Sequence, residues 1–372
     1  MTINKPIFWH RDWNEIVAFF VGWRIALAIM GQFAYYNLPT NANMTPVITS
    51  FLGIWSRYDA TWYIAIAQKG YGELYTAAFF PLWPAIIAGA QKILFLRAEA
   101  VAIALATIFC FFAVILLYRL ARLDFDEPTA KYSALFFIIS PMAFFFAIGY
   151  SEALFVTLVL LAFYLAKLKR WWWLIPVGIG IGLTRHVGIL IVLPLTLLYL
   201  MQINFNWRKI RPDILSVLSI AIGFIIFMIY LKYRFNDPLA FIHAENLWGR
   251  HLASVDFARE LWRDLKNMVH FSAESWQAGL RLISYLIPLF AIAIMIKIKR
   301  YEYALYVLCG AATPLLTGSS LSYVRIIAVL FPIYFAFAIW AKNIWFRYAT
   351  MPIFIMMQAL FICQFVNGFW VA

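Results

Sequence analysis

Residues 100–118 read AVAIALATIFCFFAVILLY, a stretch of nineteen residues without a charged side chain. A helix of about 20 mostly apolar residues is long enough to cross the hydrocarbon core of a bilayer. The sequence therefore predicts an all-α polytopic membrane protein of about eleven transmembrane helices, folded as a single domain over residues 1–372. The other apolar runs are 15–36, 130–148, 151–168, 171–184, 187–201, 213–232, 278–296, 302–318, 322–341 and 348–370.

The composition agrees with this class. The 372 residues are 65% hydrophobic and 13% charged, with a formal net charge of +13, whereas a soluble domain is about half apolar and a quarter charged. Lys and Arg are spread singly between the apolar runs rather than clustered on one face, which argues against a nucleic-acid partner. Membrane lipids and a phosphate-bearing lipid substrate fit the charge better. Cys110, Cys309 and Cys363 lie inside apolar runs without metal-ligand spacing, so we expect core side chains.

The distribution of Lys and Arg sets the predicted orientation. With a cytoplasmic N-terminus, and with 79–96 not crossing, all the short basic loops fall on the cytoplasmic side, as the positive-inside rule requires. Segment 79–96, FFPLWPAIIAGAQKILFL, contains two prolines and a lysine, and we expect it to be re-entrant or interfacial. The long loops 37–99 and 233–277 are then extracytoplasmic. The basic loops are 119–131, 167–170, 207–211, 297–300 and 341–347.

An aspartate lies between an arginine and several aromatic residues in the first long loop, where residues 55–71 read WSRYDATWYIAIAQKGY. Trp62, Tyr63, Ile66 and Ala67 follow Asp59 at helical spacing, which predicts a short amphipathic helix in the membrane interface. Two interpretations fit Asp59. It is the N-cap of that helix, a position that favours Asp, or it is a general base that deprotonates an acceptor hydroxyl at the membrane surface.

This stretch, with the pattern W-x-R-x-D-x-x-W-Y-x-x-I-A-x-x-G-Y followed by FFPLWP, resembles the first luminal loop of the PIG-V-type (GPI mannosyltransferase II) family. That family belongs to the C-type membrane glycosyltransferases, so the resemblance implies their fold. Ser140, Asn236, Glu245 and Ile326 depart from the family's usual Asn, Gly, Gln and Tyr. Four further segments resemble family blocks in the same order: SPMAFFFAIGYSEALF (140–155), GIGLTRHVGIL (180–190), FNDPLAFIHAENLWGR (235–250) and SYVRIIAVLFPIYF (322–335).

The resemblance favours one interpretation of Asp59. C-type glycosyltransferases carry an essential acid in the first extracytoplasmic loop, and Asp59 occupies the matching position, which implies that it is the catalytic base. Glu152 lies at the outer face between strongly apolar flanks, where an ionisable group usually faces a cavity and a partner. We therefore expect Glu152 to belong to the catalytic site, either positioning the acceptor or pairing with an arginine.

Basic residues on the predicted outer side run against the positive-inside trend and indicate an anionic ligand. Arg185 and His186 occupy a tight outer turn, where Arg often only snorkels, but their family block favours a phosphate site, and guanidinium matches phosphate geometry. His243 and Glu245 are expected to line the acceptor path, although a lone loop histidine is more often packed or solvated. The remaining candidates for donor-phosphate or substrate binding are Arg57, Lys232, Arg234, Arg250 and Arg325.

The resemblance implies a reaction in which a sugar, expected to be mannose, moves from a polyprenyl-phosphate donor to a hydroxyl of a glycolipid, polymer or protein acceptor, with inversion. Arginines at the leaving phosphate stabilise its charge, and the outer loops lack clustered acids, so we expect no cofactor and no required metal. The alternatives are a lipid-linked-sugar flippase or secondary transporter and a non-catalytic subunit of a glycosylation complex. The expected location is a prokaryotic plasma membrane, or the endoplasmic reticulum membrane of a eukaryote, with the site facing the extracytoplasmic side.

Overall fold

The computed structural model describes residues 11–41, 51–248, 257–269, 275–316 and 322–371. Every regular element in these ranges is a helix, which confirms the predicted all-α class. The α-helices are α1 (Arg11–Asn37), α2 (Asp59–Lys69), α3 (Leu82–Leu94), α4 (Ala98–Asp124), α5 (Glu127–Ile139), α6 (Glu152–Lys167), α7 (Leu174–Gly182), α8 (Val192–Gln202), α9 (Ser219–Phe235), α10 (Ala240–Leu247), α11 (Phe257–Val269), α12 (Ser275–Lys297), α13 (Tyr301–Leu316), α14 (Tyr323–Ala328), α15 (Pro332–Trp340) and α16 (Ile344–Val366). Short 3₁₀ segments lie at Gly53–Trp55, Leu74–Ala78, Ala143–Ala147, Trp171–Trp173, His186–Ile191, Trp207–Lys209 and Pro212–Leu218.

Five helical stretches in the described ranges are long and apolar enough to cross a membrane. Other predicted spans fold as broken helices. The run 130–148 is divided at Ser140, because the following Pro141 disfavours helical backbone at the residue before it. The run 322–341 is divided between α14 and α15, and α15 begins with Pro332, a residue suited to the first helical position. The number of crossings stays a prediction. The five stretches are Asn14–Asn37, Ala98–Asp124, Pro212–Phe235, Ala278–Lys297 and Ile344–Val366.

Apolar side chains on the outer helices divide between core and surface. In α1, Leu27 and Ala34 are buried, whereas Ile25, Ile29 and Phe33 are more than half exposed. The three exposed side chains recur every four residues and therefore form one stripe along the helix. A helix that is apolar on both its inner and its outer face is suited to a lipid environment. The two apolar faces of α1 therefore agree with an integral membrane protein.

Buried ion pairs join three helices at the end of the molecule that the topology prediction makes cytoplasmic. The Lys167 ammonium at the end of α6 lies 2.9 Å from an Asp124 oxygen and 2.6 Å from Glu302 Oε1. The Arg300 guanidinium also contacts Asp124, at 3.0 Å. Two carboxylates and two cations thereby join the end of α4, the end of α6 and the start of α13. Because removing one partner of a buried pair is costly, this cluster fixes the relative positions of the three helices.

The first long loop packs against the helical core at the opposite end. Trp83 of α3 is fully buried and donates from Nε1 to the Gly149 carbonyl at 2.9 Å. A Cβ on Gly149 would lie 3.2 Å from the Cβ of Ala102 and 3.5 Å from that of Ala60, so glycine allows α2 and α4 to approach this turn closely. The packing holds the amino end of α2 beside the turn that leads into α6.

Helix α3 occupies most of segment 79–96. Its 13 residues span about 20 Å, less than the roughly 30 Å of the hydrocarbon core. Ile93, Leu94 and Phe95 at its end are 76%, 55% and 91% exposed. This length supports the expectation of a re-entrant or interfacial segment, which stays a prediction.

Candidate functional site

A cavity of about 190 Å³ lies where the two long loops meet the helix ends. Its wall is formed by the start of α2, the end of the 3₁₀ segment Leu74–Ala78 with the two residues that follow it, and the turn that leads into His186. The end of α10, the start of α14 and Trp370 complete it. All of these segments fall on the predicted extracytoplasmic side. The charged or titratable lining residues are Asp59, Arg185, His186, Glu245 and Arg325, and the aromatic ones are Tyr58, Trp62, Tyr63, Phe79, Phe80, Trp248 and Trp370.

Two carboxylates and two guanidiniums form a continuous network beside this cavity. Arg325 Nη1 lies 2.8 Å from Asp59 Oδ2, and Arg325 Nε lies 3.4 Å from Glu152 Oε1. Arg185 Nη1 lies 2.7 Å from the same Glu152 oxygen. The side chains of Arg325 and Arg185 are 6% and 17% exposed, so these ion pairs are screened little by water. With two charges of each sign, the network is neutral overall.

Glu152 lies behind the cavity wall, with a side chain only 3% exposed. Its Oε1 contacts both Arg185 and Arg325 and thereby holds two like charges close together. Its Oε2 is buried and has no hydrogen-bond partner among the described residues. This position agrees with the expected pairing with an arginine, because the carboxylate orients the two guanidiniums rather than facing the cavity itself.

Asp59 is the first residue of α2, and Tyr58 occupies the N-cap position, so the N-cap interpretation of Asp59 is wrong. The preceding residue, Tyr58, has φ 52° and ψ −122°, a conformation that costs a non-glycine residue energy. Ser322, which precedes the helix carrying Arg325, also has a positive φ, of 63°. Both strained residues line the cavity, and strained backbone of this kind is concentrated at functional sites.

Aromatic residues brace the network from the side of the core. The Tyr63 hydroxyl and Ser151 Oγ are 2.8 Å apart, which ties α2 to the start of α6. The Arg325 guanidinium lies 5.3 Å from the ring centre of Tyr150 and 5.6 Å from that of Phe145, a distance at which cation–π attraction is effective. Arg325 is therefore held by rings as well as by carboxylates.

Comparison with known proteins identifies the family. Residues 35–238 match the model of a family described as mannosyltransferase (PIG-V), and this region is more than half of the chain. The chain belongs to the PIG-V mannosyltransferase family. The matched region contains Asp59, Glu152 and Arg185. Arg325 lies outside the matched region, and the fold of this PIG-V family member brings it into contact with Asp59 and Glu152.

Individual relatives match this PIG-V family member at low sequence identity and over only part of their length. GPI alpha-1,6-mannosyltransferase 2 of Cricetulus griseus is 27% identical over 222 residues, covering 54% of this chain and 45% of the relative. The protein of the same name from Homo sapiens is 35% identical over 134 residues, covering 33% of this chain and 27% of the relative. The matched regions thus span less than half of either curated relative. An Archaeoglobus fulgidus oligosaccharyltransferase structure with a tethered acceptor peptide aligns with a TM-score of 0.47 at 14% identity, covering 94% of this chain and 55% of that one.

Several site residues predicted from the sequence lie elsewhere in this PIG-V protein. Arg57 is buried and donates from Nη2 to the Val366 carbonyl at 2.8 Å, so it anchors the first loop to α16. Arg234 donates from Nε to the Tyr71 carbonyl at 2.7 Å, and Lys232 is exposed on α9. None of these three lines the cavity. Arg250 lies outside the described residues.

The second long loop contributes one of its two predicted acceptor-path residues to the cavity. Glu245 lines it, with Oε1 3.9 Å from His186 Nδ1. His243 instead pairs at 2.6 Å with Asp237 on the outer surface. Desolvation raises the pKa of Asp237, but the hydrogen bonds from His243 and the Leu239 N–H, together with nearby positive charge, outweigh it and lower the pKa overall. The His243–Asp237 pair therefore stabilises the loop and does not face the cavity.

Aromatic residues are the part of the wall that the sequence analysis did not assign to the site. Trp62 follows Asp59 by three residues, and Trp248 follows Glu245 by three residues. Residues three apart on a helix lie on the same side, so this spacing was a signal that could have found both indoles.

Proposed function

We propose that the protein is a membrane glycosyltransferase that moves a sugar, expected to be mannose, from a polyprenyl-phosphate donor to a hydroxyl group of the acceptor on the extracytoplasmic face. The observation that carries the proposal is the convergence of one carboxylate, Asp59, and two guanidiniums, those of Arg185 and Arg325, on a single cavity. Such a transfer needs a base for the incoming hydroxyl and positive charge for the departing phosphate. Membership of a mannosyltransferase family supports the choice of sugar.

In this mechanism Asp59 accepts the proton of the acceptor hydroxyl as its oxygen bonds to the anomeric carbon. The bond between that carbon and the phosphate oxygen breaks at the same time, and the electron pair leaves with the phosphate. Attack opposite the leaving group inverts the anomeric configuration. Arg185 and Arg325 bind the charge that develops on the phosphate, in a partly dehydrated site where such contacts are strong.

The ion pairs of the site prepare it for this role. Contact with Arg325 at 2.8 Å holds the Asp59 carboxylate in one orientation. A phosphate that reaches Arg325 competes with Asp59 for the guanidinium, which leaves the carboxylate freer to accept a proton. Glu152 remains behind both arginines and keeps them charged and adjacent. Because two guanidiniums serve a single phosphate, we expect turnover without a divalent ion.

The test is transfer by the purified protein in nanodiscs from a synthetic short-chain polyprenyl-phosphate-mannose labelled in the sugar. We expect a labelled acceptor of inverted anomeric configuration, and the same rate after treatment with EDTA. If the protein moved the labelled lipid across the bilayer of a liposome without forming a new glycosidic bond, it would be a flippase. The proposal would then be wrong.

The acceptor in this assay is supplied as three separate pools: membrane glycolipids, cell-wall polymer and secreted protein. Label entering one pool identifies the acceptor class. Empty nanodiscs serve as the background. Label entering a pool equally with and without the protein would not come from the protein.

A further inference from the structure

The segment that follows α16, residues 367–371, brings Trp370 to the cavity wall. We call this segment the strap. It begins with a Schellman motif, in which the N–H groups of Gly368 and Phe369 donate to carbonyls in the last turn of α16, at 3.1 and 2.9 Å. Gly368 has φ 81°, in the left-handed region that this motif reserves for glycine. The strap therefore leaves the helix in a fixed direction.

Hydrogen bonds from distant parts of the chain pin the start of the strap. The Asn41 N–H donates to the Asn367 carbonyl at 2.9 Å, and the Asn41 side chain donates to the next carbonyl of the strap at 3.1 Å. Asn367 Nδ2 donates to the Ala34 carbonyl at the end of α1, at 3.1 Å. The Arg57 guanidinium holds the last carbonyl of α16 at 2.8 Å. Because Arg57 lies two residues before α2 begins, the strap is tied to the chain that leads into that helix.

Trp370 packs edge-on against Tyr58, with ring centres 4.9 Å apart and an interplanar angle of 87°. Phe365 of α16 packs against the same tyrosine ring at 5.8 Å. The Tyr58 hydroxyl is buried and has no hydrogen-bond partner among the described residues. The ring, rather than the hydroxyl, is therefore what tyrosine contributes at this position.

These ring contacts explain how a strained backbone persists at Tyr58. Such a conformation is kept only where the surrounding structure over-determines it. Here the ring is held by aromatic side chains of α16 and the strap, and the preceding carbonyl accepts a hydrogen bond from the Tyr150 hydroxyl at 3.2 Å. Tyr58 occupies the N-cap position of α2, so its conformation sets the direction in which α2 begins. That direction determines where Asp59, the next residue, presents its carboxylate to Arg325.

We propose that Trp370 is a positioning residue for sugar transfer: by packing against Tyr58 it holds Asp59 in the orientation in which the carboxylate accepts the acceptor proton. The inference rests on the proposed function, since Asp59 is the base of that reaction. A residue that only packs the strap would change stability and activity together, and one that contacts a substrate would change KM. A positioning residue lowers kcat while KM stays the same.

The test compares sugar transfer and thermal melting for variants of the full-length protein in nanodiscs. Trp370→Leu should lower kcat by about 2- to 12-fold, the range for loss of one aromatic pair, with KM unchanged. Trp370→Phe keeps a ring against Tyr58 and should recover most of the rate. Phe369→Leu is the matched control, because Phe369 is 41% exposed beside Trp370 at 39% but does not line the cavity. The control should keep the wild-type kcat, and its melting temperature should equal that of Trp370→Leu.

A second readout needs no turnover. Carboxyl groups are labelled with a water-soluble carbodiimide and glycine ethyl ester, and the label on Asp59 is measured by mass spectrometry relative to that on Asp126, which lies outside the cavity. Asp59 should react faster in Trp370→Leu than in wild-type or Phe369→Leu protein, because a carboxylate that is no longer held against Arg325 is more accessible.

Equal kcat in Trp370→Leu and wild-type protein, or unchanged labelling of Asp59, would overturn the inference. A melting temperature of Trp370→Leu well below that of the control would make the strap structural, and a raised KM at unchanged kcat would make Trp370 a substrate contact; either result would also overturn it. The proposed function fails differently. If Asp59 labelling responds to Trp370→Leu but the wild-type protein transfers no sugar, the strap positions Asp59 without this reaction. If the wild-type protein transfers sugar and neither readout responds, the reaction stands without the positioning role.

Discussion

Replacing Asp59 by Asn removes the proposed base while changing the shape of the side chain very little. The amide oxygen still accepts a hydrogen bond from Arg325, and the N-cap residue of α2 is unchanged, because Tyr58 occupies that position. We expect turnover to fall by about 10²–10⁴-fold, the range for loss of a general base. That loss corresponds to about 3–5 kcal/mol of transition-state stabilisation.

The cost in stability is expected to be much smaller. A hydrogen bond to a charged group contributes about 1.5–3 kcal/mol and one between neutral groups about 0.5–1.5 kcal/mol, so exchanging a carboxylate for an amide costs on the order of 1 kcal/mol. Two features keep the cost at this level. The Asp59 side chain is 27% exposed, and Arg325 retains Glu152 as a second partner. The melting temperature should therefore fall by a few degrees at most.

The assay is the initial rate of sugar transfer by wild-type and Asp59→Asn protein, as a function of donor concentration, measured beside thermal melting. Asp126→Asn is the matched control. Asp126 also pairs with a cation, with Lys342 Nζ at 2.8 Å, but it lies at the far end of the molecule and outside the cavity. We expect this control to retain full activity.

A variant that is as stable and as active as the wild type would make Asp59 a structural residue and refute the mechanism. A second outcome would refute only the base. If the variant lost activity through a raised donor KM while kcat stayed unchanged, the carboxylate would serve to orient Arg325, and the proton would go to another group.

Three further predictions follow from the same geometry. Replacing Arg185 or Arg325 by Ala should raise the KM for the donor or lower turnover by about 10- to 150-fold, which is the effect of losing one hydrogen bond to a charged group. Unchanged donor kinetics in both variants would remove the phosphate site. Glu152→Gln should raise the KM for the donor or lower turnover, since it loosens the two guanidiniums that Glu152 contacts; unchanged donor kinetics would contradict this role. Cysteine introduced at Glu73 should react with an impermeant thiol reagent from outside, and cysteine at Lys169 should not; the reverse pattern would overturn the predicted orientation.

Much of the fold could be predicted because the bilayer imposes a length on each apolar helix. The run 100–118 became α4, and the run 348–370 became most of α16. Breaks inside the runs were harder to predict. Ser140 and Pro141 interrupt one run, and their effect depends on the 3₁₀ segment that follows, a local geometry that hydrophobicity does not encode.

The site was predictable where a residue type was out of place in its surroundings. Asp59, Glu152 and Arg185 are charged residues between apolar flanks, and all three joined the network. The same reasoning misplaced Arg57 and Arg234, because an arginine can also satisfy backbone carbonyls between distant segments.

Residues contributed by distant segments could not be brought together from spacing alone. Arg325 is 266 positions from its partner Asp59 in the numbering. The aromatic wall was missed for another reason. Aromatic residues are common throughout this chain, so the three-residue spacing between a carboxylate and an indole stands out only once the loops meet.

The position of Glu152 between Arg185 and Arg325 bears on how the lipid phosphate product would dissociate from the site. A donor phosphodiester carries a single negative charge, whereas the phosphate monoester released from it carries about 1.5 to 2 at pH 7. Because Glu152 holds both guanidiniums in place, the spent lipid meets the same paired arginines with more charge than the donor had. Its departure, rather than bond formation, is then expected to limit steady turnover. Pre-steady-state measurements should show a burst of the first product, and a phosphatase that consumes the lipid phosphate should raise the rate that follows.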